Sequence, residues 1–324
     1  MTIDDGAEAL AHVVRGAIVE SVHRGHLALL DPSGGTTGRG DPNLTFLPRS
    51  AVKPVQAVAM LRVGLDLPPD LLALACSSHS GEPEHLVGVQ RILAGAGLDD
   101  GALQNTPGFP LGDDAALAHH RAGRPASALA GNCSGKHAAM LATCVAARWP
   151  TATYRDPAHP LQRAIAATTG ELTGDGPPAH TTVDGCGAPL FSCTLAGLAR
   201  AFARIATAPA GGVEHRVATA IRSHPQLLGG TGRTVTGLVA GVPGLVAKDG
   251  AEGVFAGALP DGRAFALKIL DGAARPVPAV AVAALRALGL TAPVPDELGR
   301  VPVLGHGEPV GAVRPVPPAA QSLC

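Results

Sequence analysis

The sequence of 324 residues lacks the features that mark several common classes of protein. Its 25 lysine and arginine residues nearly balance its 26 acidic residues, so the formal net charge is −1, and no segment is strongly basic. Nucleic acid and anionic membranes are therefore poor candidates as partners. No apolar run approaches the ~20 residues of a membrane-spanning helix. The first eight residues are acidic and lack the basic-then-apolar order of a signal peptide. We therefore expect a soluble cytoplasmic protein.

Lysine is scarce in this chain. Only four of the 25 basic residues are lysines, and the rest of the positive charge comes from arginine. A lysine amine can act as a base once burial lowers its pKa, whereas a guanidinium stays protonated. Each lysine therefore raises the question of which property arginine could not supply. We consider Lys53, Lys136 and Lys268 below, and we assign no role to Lys248.

A serine and a lysine stand three residues apart just before an apolar run. If a helix begins near Ser50, the amine of Lys53 can lie over the Ser50 hydroxyl, because residues at i and i+3 share a helix face. Pro54 would then lie in the first turn, where backbone N–H groups have no intrahelical partner. A Ser-x-x-Lys pair at a helix start is a candidate activated nucleophile. The alternative is a helix-capping serine followed by a solvated lysine.

Hydroxyl groups are concentrated in a second segment, residues 77–80. The apolar run 71–76 before it suggests the end of a strand, and a helix is predicted over 82–96. A helix N-terminus favours anionic groups of a substrate, although ordinary N-capping explains the same residues. Lys268 lies on a predicted apolar strand. Its amine either faces solvent or lies buried beside a second serine.

Two of the six cysteines stand in unusual surroundings. With no export signal, the cysteines of a chain this long are free thiols or metal ligands rather than disulfides. Cys133 lies where a helix begins, so the helix dipole favours its thiolate. Cys186 lies between two glycines. Two thiolates with one nitrogen ligand and a water would make a four-coordinate zinc site, and a reactive thiol or a structural role remain alternatives.

The predicted fold class is α+β. Strands are predicted near both ends of the chain with helices between them, so the terminal strands should share a mostly antiparallel sheet on which the helices pack. The clearest hairpin joins the apolar runs 254–259 and 264–270 through an Asp-Gly turn. We expect a single domain over residues 1–324, with poorly ordered tails at 1–11 and 315–324.

Five short motifs follow one another in the chain: Arg49-Ser50-x-x-Lys53-Pro54, Cys76-x-Ser78, Asn132-Cys133-Ser134-Gly135-Lys136-His137-Ala138, Asp184-Gly185-Cys186 and Leu267-Lys268-x-x-Asp271-Gly272. Together they resemble the rhizobial-type (class 3) L-asparaginase family, from about Arg15 to Leu288. The Asn-Cys-Ser-Gly-Lys-His-Ala stretch is highly specific, whereas Ser-x-x-Lys alone is not.

The resemblance implies a fold related to serine β-lactamases, penicillin-binding proteins and serine-dependent glutaminases. It also implies a homodimer that hydrolyses the side-chain amide of L-asparagine to L-aspartate and ammonia. By their place in the motifs, Ser50–Lys53 and Ser78–Lys268 would be two catalytic Ser–Lys pairs. A zinc ion, completed by water and ordering the site rather than supplying the nucleophile, would be held by Cys133, Lys136 and Cys186. Lysine must be neutral to bind a metal, which arginine cannot be.

The substrate would need an opposite charge for each of its α-groups, and Arg49 and Asp184 are the candidates. Ser80 is a further substrate-binding candidate and the alternative to Ser78 as the partner of Lys268. Three other functions remain open. These are a glutaminase, another Ser-x-x-Lys acyl hydrolase such as a peptidase or β-lactamase, and an inactive zinc-stabilised binding domain.

Overall fold

The computed structural model describes residues 2–290 and 294–317 and confirms the α+β class. The strands are β1 (Glu8–Arg15), β2 (Ile18–Leu30), β3 (Thr36–Arg39), β4 (Thr45–Phe46), β5 (Thr181–Val183), β6 (Pro189–Phe191), β7 (Cys193–Thr194), β8 (Val246–Gly250), β9 (Val254–Ala258), β10 (Ala264–Ile269), β11 (Val301–Gly305) and β12 (Glu308–Pro315).

Most of the helices lie between the third and eighth strands in the sequence, and two lie between the tenth and eleventh strands. They are α1 (Lys53–Arg62), α2 (Pro69–Ala75), α3 (Pro83–Gly95), α4 (Asp113–Arg121), α5 (Ser134–Ala146), α6 (Pro160–Thr173), α7 (Leu195–Ala206), α8 (Val213–Ser223), α9 (Pro225–Leu228), α10 (Thr234–Gly241), α11 (Val277–Ala287) and α12 (Asp296–Gly299). In the part of the chain that the structure describes, none of them is both long and apolar enough to cross a bilayer.

The main sheet is antiparallel and joins the two ends of the chain, as predicted. Its order is β11-β12-β1-β2-β10-β9-β8, with β3 beside β2. Residues 8–11, expected in a poorly ordered tail, instead belong to β1, and Ala11 pairs with Pro315 of β12. Glu8 and Ala9 pair with Gly25 and Arg24 of β2, and the Leu10 carbonyl accepts a hydrogen bond from the N–H of Val316, so this segment has the backbone hydrogen bonds that a tail would lack. Met1 and residues 318–324 lie outside the described residues.

Helices cover the centre of this sheet. Every residue of β9 and β10 is buried, and both strands are packed by α7 and α11. Strands covered on both faces read as continuous apolar runs, which is why the β9–β10 hairpin was predictable from sequence. The run 71–76 is helix α2 rather than a strand, because Pro69 at its start and its leucines and alanines suit a helix.

Helix α1 lies inside the helical layer. Its residues Lys53 to Leu61 are all buried, and it packs against α5, α6 and α8. The expected helix start near Ser50 is a 3₁₀ turn over Arg49–Val52, and the α-helix begins at Lys53. The backbone N–H of Lys53 bonds to the carbonyl of Ser50. Since side chains at i and i+3 eclipse in a 3₁₀ turn, the Ser50 and Lys53 side chains leave the backbone on the same side.

The edge strand β8 lies against this 3₁₀ turn. A Cβ at Gly250 would stand 2.9 Å from the Pro48 carbonyl oxygen and 3.2 Å from the Ala51 nitrogen. Only glycine permits so close an approach. The end of β8 is thereby fixed beside the turn that carries Ser50.

Candidate active site

A cleft of about 290 Å³ opens beside the 3₁₀ turn. Five of the residues singled out in the sequence line it, namely Arg49, Ser50, Cys133, Asp184 and Cys186. These residues come from three distant parts of the chain. The structure therefore brings together a hydroxyl, two thiols and two charged groups at one concave surface, which is the common form of a small-molecule site.

The two charged residues of the cleft bind each other. Arg49 Nε lies 2.8 Å from Asp184 Oδ1. Burial raises the pKa of Asp184, but Lys136 and Arg49 outweigh this effect and hold that pKa below its usual value. Arg49 has a φ of 51°, in the left-handed region that non-glycine residues rarely adopt. The ion pair and the strained backbone together fix the residue that precedes Ser50.

Ser78 lies between two lysine amines. Its Oγ is 3.0 Å from Lys53 Nζ and 3.1 Å from Lys248 Nζ. The three side chains come from α1, from the segment after α2 and from β8, and at most 4% of each residue is exposed. Within the described residues, no hydrogen bond joins the Ser50 hydroxyl to Lys53. The Lys53 amine bonds instead to Ser78, to the Ser77 carbonyl and to Cys133 Sγ at 3.4 Å.

The prediction that Ser78 pairs with Lys268 is wrong, because the lysine beside Ser78 is Lys248. Lys268 Nζ donates to the backbone carbonyls of Glu252, at 2.7 Å, and Ile269. Lys268 pairs with Val254 of β9, which in turn pairs with Gly250 of β8. Two strand spacings, ~10 Å, thus separate β10 from β8, the strand that reaches Ser78. Lys248, to which the sequence assigned no role, occupies the position expected for Lys268.

Lys248 has the electrostatic character of a base. Burial lowers its pKa to about 8, although the neighbouring Asp249 carboxylate raises it and Lys53 adds to the lowering. Two positive charges on one oxygen would repel each other, and loss of the Lys248 proton relieves that repulsion. A signal for this residue is present in the sequence. Lys248 is one of only four lysines and directly follows the apolar run 245–247, in the middle of β8.

Ser80 does not reach the cleft. Its hydroxyl donates to the carbonyl of Gly229 at 3.0 Å, and the residue is fully buried. Its backbone N–H also bonds to Gly229, at 2.8 Å, while the N–H of Ser78 bonds to the carbonyl of Leu228. The proposed substrate contact of Ser80 is therefore not supported by its position. Ser80 instead anchors the segment 77–80 to the loop after α9.

The three residues predicted as zinc ligands, Cys133, Lys136 and Cys186, lie close together. Cys133 and Cys186 pack together with Ala188, and Lys136 Nζ lies 3.1 Å from Cys186 Sγ. A hydrogen bond with Cys186 lowers the pKa of Cys133 well below its usual range, against the effect of burial. Burial opposes the charge on Lys136 as well, but the two cysteines raise its pKa. Two sulfurs and one amine thus converge at the wall of the cleft.

This donor set fits zinc. Thiolates and a nitrogen ligand are what Zn²⁺ prefers, and a water from the cleft would complete four-coordination. The amine would have to release its proton on binding, as metal ligands do. The role of Cys133, Lys136 and Cys186 as zinc ligands stays a prediction.

A model of the L-asparaginase II family matches residues 11–315 of the chain. The chain belongs to the L-asparaginase II family. The resemblance to class 3 L-asparaginases that the five motifs carry is thus confirmed over nearly the whole length of the sequence. A comparison with curated proteins finds no match.

Solved structures similar to this L-asparaginase II family member are distant. Mglu in its native form is 18% identical, with a TM-score of 0.44 over 82% of this chain and 64% of that chain. Its glutamate form is 19% identical, with a TM-score of 0.43 over 82% of this chain and 60% of that chain. The chain thus spans about three fifths of the Mglu chains.

A probable glutaminase from Bacillus subtilis complexed with 6-diazo-5-oxo-L-norleucine is 12% identical, with a TM-score of 0.35 over 76% of this chain and 78% of that chain. All three TM-scores are below 0.5, so these structures support no conclusion about the chemistry of this chain. The relation to serine β-lactamases rests on the motifs.

Proposed function

We propose that this protein is an L-asparaginase, which hydrolyses the side-chain amide of L-asparagine to L-aspartate and ammonia. Membership of the L-asparaginase II family supports an amidohydrolase. The observation that carries the proposal is the Ser78 hydroxyl held 3.0 and 3.1 Å from two buried lysine amines, next to a cleft that Ser50 lines. Amide hydrolysis needs a nucleophile and a group that moves protons to and from it.

Ser50 is the nucleophile in this proposal. It lines the cleft, whereas Ser78 is only 4% exposed and is not among the residues that line it. Ser50 and Lys53 leave the 3₁₀ turn on the same side, and the proposal requires the Ser50 hydroxyl to turn toward the Lys53 amine when substrate binds. Catalytic hydrogen bonds are often loose without substrate and tighten when it binds.

The proton of Ser50 moves through the Lys53–Ser78–Lys248 group. As the Ser50 oxygen attacks the amide carbon, Lys53 takes the Ser50 proton and releases one of its own to Ser78. The hydroxyl proton of Ser78 passes to neutral Lys248. The reverse movement protonates the departing ammonia. Water then attacks the acyl-enzyme by the same route, so that aspartate leaves and Ser50 regains its proton.

Arg49 and Asp184 bind the α-groups of the substrate. Their mutual ion pair leaves each with further capacity, because a guanidinium has five N–H donors and a carboxylate has two oxygens. The α-carboxylate of asparagine binds Arg49 and its α-ammonium binds Asp184. A partly buried ion pair of this kind selects a zwitterion over a neutral amide.

Zinc is part of the proposal as an ordering element. Cys133, Lys136 and Cys186 would hold it, and its positive charge would keep both thiols deprotonated beside the cleft. We also propose that the protein works as a homodimer in the cytoplasm, which sedimentation of the purified protein and localisation in cells would test.

The proposal is tested by ammonia release from asparagine and glutamine. We expect a higher kcat/KM for asparagine, and we expect Ser50→Ala to lower it by about a thousandfold or more while the protein stays folded. A Ser50→Ala variant that keeps more than about a tenth of the rate would refute the nucleophile. A higher kcat/KM for glutamine would make the protein a glutaminase.

Elemental analysis tests the metal. Protein purified without chelators should contain about one zinc per chain. Cys186→Ser should lose it, whereas Cys144→Ser, which changes a buried cysteine inside α5, should retain it. Unchanged zinc in Cys186→Ser would refute the site.

A further inference from the structure

Arg233 is connected to Ser78 through two other charged groups. Its Nη2 lies 2.8 Å from Asp249 Oδ2, and the second carboxylate oxygen, Oδ1, accepts a hydrogen bond from Lys248 Nζ. Lys248 Nζ in turn lies 3.1 Å from Ser78 Oγ. Arg233, Asp249, Lys248 and Ser78 therefore form one continuous chain of hydrogen bonds.

This chain runs from solvent into the interior. The Arg233 and Asp249 side chains are 24% and 23% exposed, whereas Lys248 is fully buried. A carboxylate paired with Lys248 alone would hold the amine in its ammonium form, because attraction between opposite charges is strong where water is excluded. A second cation on the same carboxylate weakens that attraction. Arg233 supplies this second cation.

The backbone around Arg233 also contacts the Ser78 segment. The loop from Leu228 to Arg233 accepts hydrogen bonds from the backbone N–H groups of Ser78 and Ser80. A Cβ at Gly230 would lie 2.6 Å from the Ser80 Cβ, so the two segments touch closely. The residue that neutralises Asp249 is thus built into the loop that also positions Ser78.

We infer that Arg233 is a positioning residue for the proposed reaction: by binding Asp249 it keeps that carboxylate from holding Lys248 as an ammonium ion, so that the amine is free to take the proton of Ser78. The inference rests on the proposed function.

Of the other groups around Lys248, Lys53 from α1 also repels the Lys248 charge, and more strongly than Arg233 does. The Lys53 amine, however, bonds to Ser77, Ser78 and Cys133, whereas the Arg233 guanidinium binds the Asp249 carboxylate itself. Cys76, after α2, stays a neutral thiol because burial raises its pKa to about 12. On the neighbouring strand β9 the paired residue is Ala256. Arg49 of the 3₁₀ turn is bound to Asp184. Asp249 is thus the carboxylate whose partner decides how firmly Lys248 keeps its proton.

Three variants of the full-length protein test the inference through the pH dependence of kcat/KM for asparagine. The acid limb is the pH range in which kcat/KM rises with pH. Arg233→Gln should move it to higher pH, so that kcat/KM at pH 7 falls about tenfold for each pH unit of displacement and changes little above the limb. Arg233→Lys keeps the charge and should restore the limb. Asp249→Asn removes the carboxylate that stabilises the ammonium form, so it should move the limb to lower pH.

A matched control is Arg216→Gln, which removes an exposed guanidinium that is paired with Asp66. This variant should leave the limb in place. A purely structural role for Arg233 would lower the rate equally at every pH and would not move the limb in opposite directions in the Arg233→Gln and Asp249→Asn variants. An unmoved limb in Arg233→Gln would overturn the inference.

A second readout separates this inference from the proposed function. The chain has only four lysines, so protein labelled with ¹³C at lysine Cε gives four signals, and the signal missing in Lys248→Met identifies Lys248. Arg233→Gln should raise the pH at which this signal titrates by about one unit. A raised midpoint in a protein without asparaginase activity would support the contact and refute the function, and an unchanged midpoint would refute the inference whatever the activity.

Discussion

Lys248 and Lys268 lie on strands of the same sheet, separated by β9, and they differ in what their amines bind. Lys248 bonds to the hydroxyl of Ser78 and to Asp249, and burial lowers its pKa to about 8. Burial lowers the pKa of Lys268 too, but its amine bonds to the backbone carbonyls of Glu252 and Ile269. Both lysines are at most 6% exposed.

The difference shows that burial alone does not make a lysine a base. A backbone carbonyl accepts hydrogen bonds but has no proton to exchange, so the amine of Lys268 has no partner in proton transfer. A hydroxyl both gives and takes a proton. Lys268 thus ties the turn between β8 and β9 to β10, whereas Lys248 can take part in chemistry.

The largest expected effect separates the two lysines by rate. Lys248→Met should lower kcat for asparagine by about a thousandfold, because removal of a positioned base typically costs between a hundredfold and ten-thousandfold. Lys268→Met is the matched control and should lose less than about tenfold. The measurement is steady-state ammonia release by folded protein. Equal losses in the two variants would contradict the comparison.

The pH profile gives a smaller effect. A base must be neutral to accept a proton, so kcat/KM should rise with pH and level off near the pKa of Lys248, about 8. Below that pH the rate should change about tenfold per unit. Lys268→Met should leave the limb where it is. A wild-type rate that is flat between pH 6 and 9 would exclude Lys248 as the group that titrates.

The smallest expected effect is on stability, where Lys268→Met should cost more than Lys248→Met. Lys268→Met removes the amine that bonds to the Glu252 and Ile269 carbonyls, of which Ile269 keeps the N–H of Gly272, and it should lower the free energy of unfolding by about 1–3 kcal/mol. Lys248→Met removes a buried amine whose partners keep other contacts, since Arg233 still binds Asp249 and Lys53 still binds Ser78, so its loss should be smaller. Urea unfolding measures both. A larger loss in Lys248→Met would reverse the assignment.

The sheet was accessible to sequence reasoning because its strands carry local patterns. The β9–β10 hairpin combines two apolar runs with an Asp-Gly turn, and such signals lie within about 15 residues of one another. The same reasoning failed for α2, where a short apolar run has no period that separates a strand from a helix. It also failed for residues 8–11, where β1 continues to pair with residues 23–25 of β2 and Ala11 also pairs with Pro315 of β12.

The site was predictable only in part, since Lys248 was missed and Ser80 does not reach the cleft. Cys133, Lys136 and Cys186 lie together, as the resemblance to class 3 L-asparaginases implied, although no local pattern showed that Cys133 and Cys186 meet. The partner of Ser78 depends on which strand lies at the edge of the sheet, and 170 residues separate Ser78 from Lys248. No local pattern specifies a contact over that distance. Two lysines on apolar strands look alike in sequence and differ only in three dimensions.

The most direct test of the account is a double-mutant cycle on Ser78 and Lys248. If the two groups act as one proton-transfer unit, Ser78→Ala and Lys248→Met should each lower kcat strongly, and the double variant should be no slower than the slower single variant. Ser77→Ala is the control, because none of the residues that the structure describes forms a hydrogen bond with the buried Ser77 hydroxyl, and it should stay within about threefold of the wild type. Independent losses that multiply in the double variant would contradict the account.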